Sequence, residues 1–425
     1  MFMKQYMVID LKSFYASVEC ADRGLDPMKD NLVVADVARS RGTICLAITP
    51  AMKALGVKNR CRIFEIPKSI EYIAAVPRMQ RYIDVSAEIY EIYLSYISKE
   101  DIHVYSIDEA FLDVTAYLDL YGMSAHDLAI KIMDEIKEKL KIRATCGIGT
   151  NMYLAKVALD ILAKHSPDYI AELDEESFKR RLWKHKPLTD FWRIGPGTMR
   201  HLATLGLFTQ EDIAKAPEKL LLKHFGVNSE FLIDHAWGRE SCTIYDIKHY
   251  TNKSHSLSCG QVLMRDYTYD EAITVLKEMV GELSSDMVAH QVVSNSFSLY
   301  IGYSYDSYMS TGGGTTIQVR TNSIRIMQDA FVQLYKKFAQ PDGLIRRFNI
   351  SANGIVDECY EQYSFFVDPV VMEKDRQITR SANMLKNKFG KNAILKGIDL
   401  LEEATQMERN MQIGGHLANG RDENA

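Results

Sequence analysis

The sequence predicts a multidomain α+β protein, and three observations lead there. At 425 residues the chain exceeds what one hydrophobic core ordinarily organises, so two to four domains are expected. Short apolar runs alternate with helically spaced segments over the first 165 residues, in the order β-α-β-β-α-β-α. Residues 256–302 and 315–355 each read strand, helix, strand, an internal repeat that marks a second α+β domain.

Composition narrows the class. Apolar residues make up 47% and charged residues 25%, as in soluble globular proteins. No apolar run reaches the roughly 18–20 residues that span a bilayer, so no membrane association is expected. The start, MFMKQYMVID, lacks the apolar centre and cleavage site of a signal peptide. The seven cysteines are scattered and odd in number, with no Cys-x-x-Cys pair. That speaks against a disulfide framework or zinc site and for a reducing cytoplasm. A net charge of −5 argues against coating nucleic acid by bulk charge. It leaves room for a local basic groove, or for a site where metal ions carry the positive charge.

The elements follow in order. Tyr6 to Asp10 reads as a buried strand, running into a helix through Phe14 and Val18 that Gly24 and Pro27 end. Residues 32–76 mix short strands (LVVADV, TICLAI) with a helix around PAMKALG. Residues 78–100 have the spacing of a long amphipathic helix, with Tyr82, Ile89, Tyr93 and Ile97 along it. HVYSIDEAFLDVT is a strand pair turning near Ser106–Glu109. A helix over 124–141 has Ser124 as N-cap, RATCGIGT is a strand ending at glycines, and NMYLAKVALDILAKH is a helix closed by Pro167. This order fits a ferredoxin-like sheet with helices on one face. Residues 170–240 read mostly as short helices with turns at IGPGT and HFGVN. From about Asp368 the chain is polar, with a helical-looking stretch, and GGHLANGRDENA reads as a disordered tail.

Three carboxylates stand out. Asp10 ends an apolar strand, and Asp108 and Glu109 interrupt another. Were those strands neighbours, the three would converge, repel one another and call for cations. Hard oxygen ligands of this kind suit Mg²⁺, and two such ions can clamp the attacking and leaving oxygens of a phosphoryl or nucleotidyl transfer. Alone, the Asp-Glu pair reads more readily as a hairpin turn. Tyr15, beside Phe14, could stack on a sugar and leave no room for a 2′-hydroxyl, although both also read as core packing. Lys53 and Lys164 are candidate triphosphate contacts, though a lone lysine is more often solvated. In FWRIGPGTMRHLATLG, Gly195 and Gly197 leave amides open to a phosphate ahead of a helix, or make a plain Pro-Gly turn. Gln362 to Phe366 (QYSFF) reads as a short linear anchor for an apolar pocket, or as a last strand of its own domain.

Taken together, VIDLKSFYASVE at 8–19, YSIDEAFLDVT at 105–115, GIGTNMYLAKVALD at 147–160 and IGPGTMRHLATLG at 194–206 resemble the Y-family, or translesion, DNA polymerases. The likeness is to the bacterial UmuC-like branch in particular and spans roughly residues 4–366. It implies a right-hand polymerase fold: a ferredoxin-like palm (1–30 and 77–166), small fingers (31–76), a helix-hairpin-helix thumb (167–240) and a β-α-β-β-α-β little finger (246–358). Residues 359–425 would hold a clamp-binding peptide and a polar tail. It implies low-fidelity, template-directed extension of primers past damaged bases, with Asp10, Asp108 and Glu109 as catalytic ligands of two Mg²⁺ ions and the Leu11 carbonyl facing a metal. Phe14, Tyr15, Lys53 and Lys164 would meet the nucleotide, with Tyr15 as the steric gate, and Gly195 and Gly197 would meet the DNA backbone. Gln362, Phe365 and Phe366 would dock on the bacterial sliding clamp. The expected partners are primed template DNA, a dNTP and that clamp, around a chain monomeric by itself.

The chain departs from the family pattern in places. Where many members carry a Tyr-x-x-Arg pair it has Pro50 and Lys53, and Phe365 replaces the usual leucine. Lys53 keeps the charge but not a two-pronged grip. Two rivals are a cyclase-like palm enzyme and a non-catalytic DNA- or clamp-binding protein.

Overall fold

A computed structural model describes residues 4–39, 42–251, 255–304, 307–360 and 368–420. The chain divides into two compact units, residues 1–251 with 419–425, and 252–418.

The first unit is built on a five-stranded sheet. Its spatial order is Ile102–Val104, Glu109–Asp113, Tyr6–Leu11, Ala144–Gly149, Ile170–Leu173. The first four strands have the ferredoxin-like order. The fifth, parallel to its neighbour, is a strand the sequence pattern did not mark, since only four residues carry it between Pro167 and the next helix. The first strand is central, pairing antiparallel with Glu109–Asp113 on one side and Ala144–Gly149 on the other.

Register sorts the side chains by face, because successive residues of a strand point to opposite sides. Tyr6, Val8 and Asp10 stand opposite Gly149, Gly147 and Thr145, and opposite Asp113, Phe111 and Glu109. On this face lies helix Met152–Val157, continuing as a wider turn over Ala158–Leu162, with Met152, Ala155 and Leu159 packed on Tyr6, Val8 and Phe111. On the other face Tyr93, from helix Met79–Leu94, lies beside Cys146, and helix Ala125–Leu140 packs against Met79–Leu94. Helices therefore cover both faces, where the pattern suggested one. Gly147 and Gly149 explain this, for a Cβ on either would fall 2.1 Å from the Ala155 carbonyl oxygen or 2.3 Å from the Ala155 nitrogen. Only a glycine floor admits the helix at that depth.

Local signals agree elsewhere. Ser124 caps helix Ala125–Leu140 by accepting from the Asp127 amide. Helix Met79–Leu94 is shorter than the 78–100 its spacing suggested, and Lys99–Asp101 forms a separate turn. Residues 31–76 form a small three-stranded sheet with Leu32–Val34 central, over a core that includes Val33, Cys45, Ile48 and Met52. Short helices from Glu175 to Trp237 share a core around Phe178, Leu182, Phe191, Leu202 and Ile213.

The second unit is a four-stranded antiparallel sheet ordered Thr311–Thr321, Val292–Tyr303, Ile345–Asn353, Ser256–Tyr267. Helices Tyr269–Ala289 and Ile324–Phe338 cover it and bury Met279, Leu283, Phe331 and Tyr335 at 0–1% exposure, as the internal repeat requires. The helical-looking stretch after Asp368 is a helix, and of the residues expected to be disordered, His416–Leu417 pair in a hairpin. Helix Pro369–Phe389 packs on helix Tyr269–Ala289, and further turns and a small hairpin of Gln412–Ile413 with His416–Leu417 follow. Buried Glu278 accepts from the amides of Thr405 and Gln406 and from the Thr405 hydroxyl. The segment is polar because it satisfies polar groups of the helix it covers.

Candidate active site

The carboxylates come together through strand pairing. Asp10 and Glu109 are direct cross-strand partners on one face of the sheet. The Leu11 amide donates to the Asp108 carbonyl at 2.9 Å, which ties the segment before Glu109 to the end of the central strand. The Ser106 hydroxyl donates to Asp108 Oδ1 at 2.6 Å, and the Tyr105 and Ser106 amides both donate to the Glu109 carbonyl. Residues 105–109 are thus a turn and a carboxylate site at once.

The electrostatics show the cost of this arrangement. Burial, then Asp108 and Glu109, push the Asp10 carboxyl up to about 7, against the opposing pull of Lys164 and Lys156. Burial also raises Glu109, only partly countered by Lys156. The Lys156 ammonium donates to Glu109 Oε2 at 2.9 Å and lies 2.8 Å from Oε1. Both oxygens of the buried Glu109 carboxylate therefore face the Lys156 ammonium. Lys156 also pairs with Asp160 at 3.2 Å, and Lys164 with Asp160 at 3.3 Å. Burial pulls Lys156 down, yet Asp160 and Glu109 outweigh it and leave the ammonium held above its ordinary range.

A raised carboxyl beside a second buried carboxylate fits a divalent cation. Among the described residues no group of three or more His, Cys, Asp or Glu forms a ready-made metal cage.

Next to the carboxylates lies an aromatic wall. Phe14 is buried, while Tyr15 is half-buried and stacks on Tyr82 at 4.4 Å and 16°. The Tyr82 hydroxyl donates to Glu19 at 2.7 Å, and Arg78 donates to both oxygens of that fully buried carboxylate. Burial and Asp108 raise the Tyr15 hydroxyl, and Arg60 opposes them. Lys53 donates to the Ser13 hydroxyl at 2.8 Å, and burial lowers its ammonium while Asp10 counteracts this.

Asp10, Glu109, Lys53 and Lys164 therefore share one electrostatic neighbourhood. Sequence reasoning missed Lys156, Asp160, Tyr82 and the Glu19–Arg78 pair. The spacing Lys156, Asp160, Lys164 on one helix face was the available signal. Gly195 is the N-cap of helix Pro196–Thr204 and Gly197 lies in its first turn, both with open space where a Cβ would stand. Gln362, Phe365 and Phe366 lie outside the described residues.

Comparison with known proteins decides the lineage. Residues 9–160 match the model of the impB/mucB/samB family, and residues 254–365 match that family's C-terminal domain. The chain belongs to this family, the Y-family translesion DNA polymerases. It is 32% identical over 419 residues to UvrX of Bacillus subtilis (strain 168), named for UV-damage repair, covering 97% of each chain. It is 30% identical to DNA polymerase IV 2 of the same organism, covering 97% of this chain and 98% of that one. The fold is similar to the Y-family DNA polymerase chimera Dbh-Dpo4(243-245)-Dbh, with TM-score 0.63, 21% identity, and coverage of 83% of this chain and 99% of that one. The chain is a DNA-directed DNA polymerase of the translesion class. Polymerases of this family use divalent metal ions. No helix among the described residues is long and apolar enough to cross a membrane.

Proposed function

We propose that the Asp10, Asp108 and Glu109 face extends a DNA primer by nucleotidyl transfer with two Mg²⁺ ions. The observation that carries this is the cross-strand pair Asp10 and Glu109, buried together so that the Asp10 carboxyl is pushed up to about 7. Bound divalent ions supply activation of the primer 3′-hydroxyl and neutralisation of the triphosphate.

The chain's own groups do the rest. Asp10, Asp108, Glu109 and the Leu11 carbonyl would hold the ions, and Lys156 fixes the Glu109 carboxylate by pairing with it. Lys53 and Lys164 take the triphosphate as point charges in place of a two-pronged arginine. Phe14 backs Tyr15, whose ring lies beside the sugar and excludes a 2′-hydroxyl. The small sheet of residues 31–76 covers the nascent pair loosely, which implies low fidelity and tolerance of damaged templates. Gly195 and Gly197 present amides to the backbone of the primed template, and residues 246–358 form the little finger. Gln362, Phe365 and Phe366 anchor the chain to the bacterial sliding clamp in the cytoplasm, and the chain is a monomer otherwise.

Primer extension on a primed template with dNTPs and Mg²⁺ tests the assignment. Asp108→Ala/Glu109→Ala should lower extension at least about 10³-fold while primed-template affinity changes little. Normal extension by that variant removes the metal assignment. Conversion of the nucleotide without extension favours a cyclase-like palm instead.

A further inference from the structure

We propose that a basic, indole-lined surface on the helices after the palm sheet binds single-stranded DNA, separately from the Gly195/Gly197 hairpin. Helix Glu175–Leu182 ends in Lys179, Arg180 and Arg181, and Lys184 follows. These four cations line a groove of about 480 Å³ with Trp183, and the one carboxylate in its lining is Glu211.

Trp183 lines the groove, and Trp237, which does not, packs on Trp183. Trp183 and Trp237 are half-buried and stand edge to face at 5.4 Å. The Trp183 ring is held by its Nε1 donating to the Ala236 carbonyl at 2.8 Å. Lys215 lies 5.6 Å from the Trp183 ring centre, and Lys179 and Arg239 lie 5.2 and 5.7 Å from that of Trp237.

The acids present are already engaged. Glu211 pairs with Lys215 and Lys184, and Glu175 with Lys179 and Arg239. Arg180 and Arg181 are exposed, with no carboxylate within 4.0 Å among the described residues. Arg180 and Arg181 therefore present two guanidiniums to a phosphate at this groove.

Clustered cations around fixed aromatic rings match what a single strand offers, phosphates and unpaired base faces together. A duplex offers phosphates but keeps its base faces stacked. A polymerase meets such a strand in the template it has not yet copied. The inference rests on DNA polymerase activity and not on the metal assignment.

The test measures fluorescence anisotropy of a labelled single-stranded oligonucleotide and of a blunt duplex without overhang, across about 50 to 200 mM salt. Arg180→Ala/Arg181→Ala/Lys184→Ala should weaken single-strand binding roughly tenfold and flatten its log–log salt slope by about 2, at ~0.7 per lost phosphate contact. Blunt-duplex binding should change by less than about twofold. Arg180→Lys/Arg181→Lys keeps the charge and should keep most of the affinity, which separates charge from folding. Titration with the single strand should also quench indole fluorescence less in Trp183→Phe. An unchanged salt slope overturns the proposal and points to an acidic protein partner. Equal losses on both DNAs overturn it in favour of a duplex-gripping surface.

Discussion

Asp10 is the residue in which this site's physics is most exposed. Its folded carboxyl sits at about 7 rather than the ordinary 3.8, so the folded chain holds a proton that the unfolded chain releases near pH 4. For an acid raised in this way, stability is greatest at low pH and declines as pH rises through 4 to 7, levelling off above. Metal-free protein should lose on the order of 1 to 3 kcal/mol across that window, read as melting temperature in a chelator. Mg²⁺ at pH 8 should restore most of the loss, and Asp10→Asn should flatten the profile. A flat profile in the unsubstituted protein would contradict the burial argument. At Tyr15 the stack on Tyr82, itself tied to buried Glu19, fixes the ring. Tyr15→Ala should raise the ratio of ribonucleotide to deoxynucleotide incorporation at least about tenfold, a loss of ~1.4 kcal/mol in discrimination. An unchanged ratio would remove the gate assignment.

At the scale of elements, the contact between helix Met152–Val157 and strand Ala144–Gly149 organises the site. It places Lys156 against Glu109 and sets Asp160 and Lys164 in line behind it. The contact exists because Gly147 and Gly149 carry no side chain. Gly147→Ala sets a methyl 2.1 Å from the Ala155 carbonyl oxygen and 2.4 Å from the Leu159 nitrogen, both backbone atoms that cannot swing away. The expected cost is about 3 kcal/mol, seen as a drop in melting temperature on the order of 10 °C. Extension should fall further than stability does, because Lys156 moves off Glu109. A variant as stable and active as the parent would show that the helix rides higher than described.

For the whole molecule, residues 368–418 are part of the second unit. Met372, Asp375 and Arg376 are buried, and Arg376 pairs with Glu358 at 2.5 Å while Ser323 donates to Asp375 at 3.0 Å. Removing residues 368–425 strips Glu278 of three donors and bares the helix it belongs to. Truncation should lower the unfolding temperature of this unit and speed its proteolysis, measured by calorimetry and limited digestion. A dispensable tail would leave both unchanged.

Much of this was legible in sequence, for reasons of period and composition. The apolar runs at 6–11, 109–113 and 144–149 mark strands because burial on both faces demands continuous hydrophobicity. The repeat at 256–355 announces a second sheet with two covering helices. Asp10, Asp108 and Glu109 could be picked out because charge inside such runs demands a reason. What the sequence left open was decided by non-local contact. Whether Asp10 faces Glu109 is a matter of register, and a slip of one residue would send it to the other face. Lys156 and Asp160 read as ordinary helix charges until two glycines let their helix settle on the strand. The helical-looking stretch after Pro369 gave no sign of what it packs on, because nothing local says that buried Glu278 needs donors from the chain beyond it. Local pattern determined which segments are strands, helices and charged interruptions, and the tertiary structure alone decided which charges meet, because burial converts a solvated group into one that must find a partner.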